Sequence, residues 1–170
     1  MSLLIVSFLI FTLFNVITLK LFGVPESLSN TFYLYQNKKK GLGWVFPICI
    51  VLTIGLLMPS WLTVADMLCS SLTILAFVSI VCVLLVGFSP CYKTENYDGN
   101  VHNISAVLGA ACAILWCFLV CFDIILIPLV IAFIIGVAGL ITKSWKTSAI
   151  YWLEIMAFAA IFICIFLNLI

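Results

Sequence analysis

Residues 102–122 read HNISAVLGAACAILWCFLVCF, and none of them is a lysine, arginine, aspartate or glutamate. A helix needs about 20 predominantly apolar residues to cross the hydrocarbon core of a bilayer. The stretch therefore predicts a transmembrane helix. Residues four apart lie on one helix face, and one face here carries only small side chains, the small-residue strip: Ser105, Gly109, Ala113, Cys117 and Cys121.

The small-residue strip predicts that this helix is central in a bundle. Small residues spaced four apart let helix backbones approach closely in lipid, where van der Waals contact replaces the hydrophobic effect. The strip packs against another helix of the same chain, which we favour, or against a second copy of the chain.

The composition of the whole chain agrees with a membrane location. Hydrophobic residues make up 66% of the 170 residues and charged residues 8%, with a mean hydropathy of +1.41. Soluble domains carry about 25% charged residues, so a soluble fold is excluded. A net charge of +1 provides no basic face for phosphates, and we expect no nucleic-acid partner. We predict one all-α domain over 1–170, a polytopic transmembrane helical bundle.

Six apolar runs match the length of a membrane span. The first has neither a basic start nor a small-residue cleavage site, so we interpret it as an uncleaved helix. The connection 25–41 is either an interfacial helix, with Leu28, Phe32 and Tyr35 on its apolar face, or a flexible loop. The predicted spans are about 3–22, 43–64, 67–88, 102–122, 124–141 and 148–169.

The basic residues predict the orientation. All of them are lysines, and all fall in alternate connections between the spans or within three residues of one. Lysine-bearing loops face the cytoplasm, so we predict a multi-pass protein of the cell inner (plasma) membrane with both termini on the non-cytoplasmic side. The opposite turns carry only Asp66 and Asp123. Lys20 and Lys93 share the cytoplasmic side with the lysines expected at the membrane surface, which are Lys38, Lys39, Lys40, Lys143 and Lys146.

The sequence contains no recognisable catalytic or metal-binding pattern. Most of the eight cysteines lie inside apolar runs, there is no CxxC pair, and there is one histidine. Zinc-site spacing is therefore absent, and we interpret the cysteines as packing residues. There is also no GxSxG nucleophile, phosphate-binding loop or dinucleotide fingerprint. We assign no catalytic residue, metal or cofactor.

Glu154 is the most informative polar residue because it lies within two turns of the start of the last span. A carboxylate costs roughly 3 kcal/mol at such a depth unless it is paired, protonated or hydrated. Glu154 either snorkels to the interface or pairs with Lys143 or Lys146, or it lines a cytoplasm-facing polar pocket in which it binds a ligand headgroup or relays a proton. A buried hydrogen-bonding role is the remaining alternative. His102 begins the fourth span at a similar depth, so a contact with Glu154 is possible, although a lone interfacial histidine is more often structural.

The first loop adds a further polar cluster on the same side. Its Ser27, Ser29 and Asn30 could fold inward toward His102 and close a pocket beneath the bundle. Such a pocket would use acids for a headgroup or cation, and the other side chains for hydrogen bonds. The candidate ligand-binding residues are Glu154, His102, Asn103, Glu26, Ser27 and Asn30.

Three segments resemble a known family. ESLSNTFYL after the first span, GFSPCYKTENYDGNVHNISA between the third and fourth, and the six-span layout resemble the Frag/DRAM/Sfk group, and above all its bacterial members of unknown function. The matching positions are Gly87, Pro90, His102 and Ala106. The resemblance implies an integral membrane protein connected with lipid organisation or stress response. The chain is more distantly similar to ceramidase-like and adiponectin-receptor-like lipid hydrolases, but it lacks their histidine set.

The leading hypothesis is a non-enzymatic bacterial inner-membrane protein. It would bind lipid or a hydrophobic ligand in the polar pocket, or serve as a membrane accessory to another protein. The expected partners are membrane lipids, with a protein partner or a homo-oligomer left open. The first alternative is a small transporter or channel. The second is an intramembrane lipid-modifying enzyme with His102 and Glu154 as acid–base partners. Transport is suggested by polar residues at several depths, namely Asn15, Thr53, Thr73 and Asn168.

Overall fold

The computed structural model describes residues 1–93, 96–142 and 148–170, with the backbone alone at 96, 123–125, 129, 133, 136 and 140. Every regular element in that part of the chain is a helix, which confirms the all-α prediction. A 3₁₀ turn, Leu42–Trp44, leads into the third helix. The helices are α1 (Ser2–Phe22), α2 (Thr31–Lys38), α3 (Val45–Leu68), α4 (Ser70–Phe88), α5 (Asn96–Val120), α6 (Phe122–Ile141) and α7 (Ala149–Leu169).

Five of the described helices are long and apolar enough to cross a membrane: α1, α3 with its preceding 3₁₀ turn, α4, α5 and α7. Helices satisfy their own backbone hydrogen bonds, which a segment surrounded by lipid requires. The five helices identify a multi-pass membrane protein. The helix α6 is also apolar along its length, and its central part, Leu126–Gly139, is shorter than a full span.

Two of the predicted boundaries are wrong. The helix α3 continues past 64 to Leu68, and the turn comes at Cys69, whose extended backbone separates α3 from α4. Asp66 therefore lies in the last turn of α3. The helix α5 begins at Asn96, so His102 lies well inside the helix instead of opening it. This extra length brings the turn at 91–93 next to His102.

The remaining turns differ less from the prediction. The helices α5 and α6 meet at Cys121, and Asp123 belongs to the first turn of α6. The side chain of Asp123 lies outside the description. Lys143 and Lys146, two of the expected membrane-surface lysines, lie outside the described residues.

The small-residue strip is buried along its whole length and packs within the chain. At Gly109 the backbone of α5 lies so close to α4 that an added Cβ would come within 2.9 Å of Cys82 Cβ. Ser79 of α4 donates a hydrogen bond of 2.9 Å to the Gly109 carbonyl oxygen. Only a residue without a side chain permits this approach.

The far end of the strip packs against α7. The Asn168 amide group lies 3.1 Å from the Cys121 sulfur, and the Cys121 thiol faces the Cys164 carbonyl oxygen at 4.0 Å. Between the two ends, Trp116 meets Trp61 of α3 edge to face, with ring centroids 5.6 Å apart. The helix α5 therefore contacts α3, α4 and α7, in agreement with its predicted central position.

One end of the bundle, which we call the lysine end, collects the basic residues. The ammonium group of Lys38 lies 5.6 Å from the centroid of the Phe22 ring at the end of α1. Lys93 contacts the loop before α2, and Lys20 lies in the last turn of α1. Lys38, Lys39 and Lys40 are exposed. Cys69 and Cys121 lie at the opposite end, where α3–α4 and α5–α6 connect.

The short helix α2 differs from a helix that lies free on the membrane surface. Phe32 and Tyr35, expected on its membrane-facing side, are buried against the bundle. The Tyr35 hydroxyl is 3.1 Å from Thr18 Oγ1 of α1, and its ring meets Phe22 at 4.9 Å. The aromatic face of α2 therefore closes the lysine end of the bundle.

The close approach of α4 and α5 predicts an asymmetric response to two glycine substitutions. Gly109→Ala should lower the free energy of unfolding by about 1–3 kcal/mol, because the added methyl group overlaps Cys82. Gly55→Ala is the matched control, since nothing lies within 4 Å of an added Cβ there. It should leave stability unchanged or raise it by up to about 1 kcal/mol through helix propensity. Unfolding in SDS followed by circular dichroism measures both, and equal stabilities would contradict the close approach.

Candidate functional site

An apolar cavity of about 350 Å³ lies inside the bundle. Small residues of α5 and α7 form much of its wall, and Phe46, Ile50 and Trp61 of α3 form another part. Ligand pockets have volumes of about 300–1,000 Å³. The cavity is large enough for a ligand and almost wholly apolar. Its polar wall residues, Ser29 and Glu154, lie at the lysine end.

Glu154 is held by the loop between α1 and α2. Its Oε2 accepts a hydrogen bond of 2.6 Å from the Leu28 backbone N–H. The side chain retains partial accessibility because it forms part of the cavity wall. This hydrogen bond compensates in part for placing a carboxyl group at a depth where an unpaired polar group is costly.

A second hydrogen bond attaches the same loop to α7. The Tyr151 backbone N–H donates to the Glu26 carbonyl oxygen at 3.2 Å. The first N–H groups of a helix have no partner within the helix, and the loop supplies one of the missing acceptors. Leu28 and Ser29 are buried and line the cavity. The loop therefore forms the floor of the cavity at the lysine end.

Lys93 binds the outer side of this loop through an ion pair and a hydrogen bond. Its ammonium group lies 3.1 Å from Glu26 Oε2 and 2.8 Å from Asn30 Oδ1. The Lys93 backbone N–H donates to the Tyr33 hydroxyl at 2.8 Å. The ammonium group also lies within about 6 Å of the rings of Tyr33 and Tyr92, a distance that permits cation–π attraction.

Tyr92 connects this cluster to His102. The two rings stack with centroids 4.3 Å apart, and His102 Nδ1 donates to the Ser89 carbonyl oxygen at 3.1 Å. An added Cβ at Gly99 would come within 2.9 Å of the Tyr92 carbonyl oxygen, so glycine lets the turn rest on α5. Burial raises the pKa of Tyr92 to about 12, and its hydroxyl, within hydrogen-bond reach of Ser27, stays protonated at neutral pH.

The candidate residues separate into two groups. Glu26, Ser27 and Asn30 join the cluster around Lys93 and Tyr92, and Glu154 faces the cavity. Asn103 is exposed on α5 and is not part of the cavity wall. Within the described residues no hydrogen bond joins His102 to Glu154. His102 instead stacks on Tyr92 and donates to the Ser89 carbonyl oxygen, and one carboxyl oxygen of Glu154 accepts from the Leu28 N–H.

Lys93, Tyr33 and Tyr92 were not among the candidate residues. Lys93 was interpreted only as an orientation signal. A sequence signal for it exists: CYK follows Pro90 directly after α4 and precedes the one histidine of the chain. The tyrosines before and after this point could have indicated an aromatic environment for the lysine.

The described polar residues deeper in the bundle form separate hydrogen bonds between helices and do not line one common path. The Tyr151 hydroxyl donates to Asn15 Oδ1 at 2.9 Å, which connects α7 to α1. The Thr53 carbonyl oxygen accepts from Ser7 at 2.7 Å, and Asn168 contacts Cys121. In the described part of the chain, no group of three or more histidine, cysteine or acidic residues is placed to hold a metal ion. The cavity with Glu154 is therefore the candidate site.

Comparison with protein-family models, curated proteins and solved structures finds no match to this chain. The resemblance to the Frag/DRAM/Sfk group stays a prediction.

The contact between Glu154 and Leu28 predicts which substitutions loosen the loop. Glu154→Leu leaves the Leu28 N–H without an acceptor, at a cost of about 1–3 kcal/mol, so hydrogen exchange in residues 24–34 should accelerate. Glu154→Gln keeps an acceptor oxygen and should exchange nearly as the parent protein does. Glu26→Gln removes an exposed ion pair of about 0–1 kcal/mol and should have a small effect. Mass spectrometry of the exchanged peptides distinguishes them, and unchanged exchange in Glu154→Leu would show that the bond does not hold the loop.

Proposed function

We propose that this chain is a non-enzymatic membrane protein that binds a lipid or another hydrophobic ligand in its bundle. The observation that carries the proposal is the apolar cavity of about 350 Å³ with the Glu154 carboxyl group at its lysine end. Apolar walls with a few convergent polar groups are typical of small-molecule sites, in which the polar groups orient the ligand. The ligand chain would lie among α3, α5 and α7, with its polar end near Glu154.

The size and walls of the cavity support a ligand chain over water. A cavity of about 150 Å³ lined by apolar residues stays dry and holds benzene, and this cavity has more than twice that volume. The walls toward Trp61 offer alkyl and aromatic surface, and van der Waals contact is the attraction available there. The small side chains of α5 and α7 leave this space unfilled, and a ligand chain in it would make the missing van der Waals contacts.

The proposal also gives the protein a membrane orientation and a subcellular location. The protein would be bacterial, with six spans in the inner membrane, α6 being the sixth, and with its lysine end in the cytoplasm. The five lysines described there lie in loops or in the last turn of a helix, as the positive-inside rule favours. Both termini then lie on the non-cytoplasmic side. The partners would be membrane lipids, and a protein partner or a second copy would bind the outside of the bundle.

Two neighbouring alanines of α5 test the cavity as the binding site. Both side chains are exposed, but Ala110 lines the cavity and Ala111 lies outside its wall. Ala110→Phe should fill part of the cavity and abolish bound small-molecule adducts in native mass spectrometry of the detergent-purified protein. Ala111→Phe is the matched control and should keep the adducts of the parent protein. If both variants carry the same adducts, the ligand binds elsewhere and the proposal fails.

Cys69 reports the orientation. It is exposed in the turn between α3 and α4, at the end opposite the lysines, and hydrogen bonds with Ser71 lower the pKa of its thiol. More thiolate then forms at neutral pH, which favours reaction with maleimides. A membrane-impermeant maleimide should label Cys69 in intact spheroplasts, and Cys69→Ser should remove this labelling.

The matched control for Cys69 is Asn37→Cys in the Cys69→Ser background. Asn37 is exposed on α2 at the lysine end. This cysteine should react only after the membrane is permeabilised. Labelling of Asn37→Cys in intact spheroplasts, together with no labelling of Cys69 in the parent protein, would reverse the proposed orientation.

A further inference from the structure

The polar end of the cavity carries an acid without a described counter-charge. The Leu28 N–H that contacts Glu154 is neutral, and among the described residues the one ion pair joins Lys93 to Glu26. Lys93 is thus engaged by Glu26 and Asn30 on the outer side of the loop. A carboxylate within an apolar wall attracts a cation strongly, because low dielectric strengthens the interaction.

The cavity is long relative to its volume. Phe46 and Trp61 both line it and are 15 residues apart on α3. At 1.5 Å per residue their separation is about 22 Å. A volume of about 350 Å³ spread along this length suits one extended chain better than the two chains of a phospholipid or a wide ring system.

The far end of this path holds aromatic residues. Trp61 is fully buried, packs against Trp116 and contributes to the cavity wall. Within the described residues the indole N–H groups of both tryptophans have no hydrogen-bond partner, so this end offers N–H donors but no charged acceptor for an ammonium head. The two ends of the cavity therefore differ in kind, with a carboxyl group at the lysine end and an aromatic surface at the other.

We propose that the ligand is a single-chain amphiphile with an amine head. The ammonium group would contact the free carboxylate oxygen of Glu154, and the chain would extend toward Trp61. This inference rests on the proposed function and adds the chemical class and direction of the ligand. A fatty acid of the same length would place a second negative charge beside Glu154, and a long-chain alcohol would offer a hydrogen bond without the charge.

Tryptophan fluorescence of the full-length protein in nanodiscs of unbrominated zwitterionic lipid provides the test. The probes are three single-chain compounds of equal length, an amine, an alcohol and a carboxylic acid, each brominated at the end of the tail. The amine should quench the fluorescence at a concentration at least tenfold below that needed for the acid. The double variant Trp61→Phe, Trp116→Phe should remove most of this quenching, since the two rings are in contact. In the variant Trp44→Phe, Trp145→Phe, Trp152→Phe, an amine brominated next to its head should quench less, since the head would lie far from Trp61 and Trp116.

Variants of the charged residues identify the source of the preference. Glu154→Gln should bring the amine and the alcohol to equal effectiveness while the tail still enters the cavity. The double variant Lys143→Ala, Lys146→Ala should keep the preference of the parent protein. If an amine preference develops only in this double variant, a lysine of the chain already neutralises Glu154, and the inference is overturned.

The outcomes also separate this inference from the proposed function. Equal quenching by all three probes, in the parent protein and in Glu154→Gln alike, would overturn the amine head and leave a hydrophobic binding site. Absence of quenching by any probe would overturn both. A preference for the amine that survives Glu154→Gln would place the headgroup elsewhere and contradict the assigned role of Glu154.

Discussion

The hydrogen bond between the Leu28 N–H and the Glu154 carboxyl group connects the loop before α2 with the last helix of the bundle. A carboxyl group within a span is costly unless something compensates it, and this bond supplies part of the compensation. The bond also fixes Leu28 and Ser29 across the lysine end of the cavity. The neighbouring contacts of Lys93 depend on the same placement of the loop, since Glu26 and Asn30 belong to it. This contact and the backbone hydrogen bond from Tyr151 to Glu26 together hold the loop across the lysine end.

The cavity follows from the distribution of side-chain size. Glycine and alanine on α5 allow the close contact with α4 and at the same time leave space toward the other helices. Gly109 contributes to both, because it contacts α4 and also lies in the cavity wall. Larger residues would fill the space, as interiors are normally close-packed. A larger residue at Gly109 would both fill the cavity and separate α4 from α5, so close helix packing and cavity formation meet at this position.

Much of the bundle was predictable because its signals are local. The small-residue strip indicated a central α5, and the depth of Glu154 indicated a site at one end of the bundle. The partner of Glu154 was not predictable, since it is a backbone N–H, a group that nearly every residue possesses, 126 residues away along the chain. The role of Lys93 was missed for a related reason. Its partners lie more than 60 residues away, and a lysine in a loop is also what membrane orientation alone requires.

The amino-acid sequence by itself determined the helical character of the chain and the separation of its lysines from its apolar runs. The physical reason is local, because backbone groups in lipid must find their hydrogen bonds within the helix, and long apolar runs leave no other arrangement. Only the tertiary structure decided that His102 stacks on Tyr92, that Lys93 holds the first loop, and that Glu154 faces a cavity. These contacts join distant segments, and they depend on how the helices pack and where the loop folds, which no single stretch of sequence specifies.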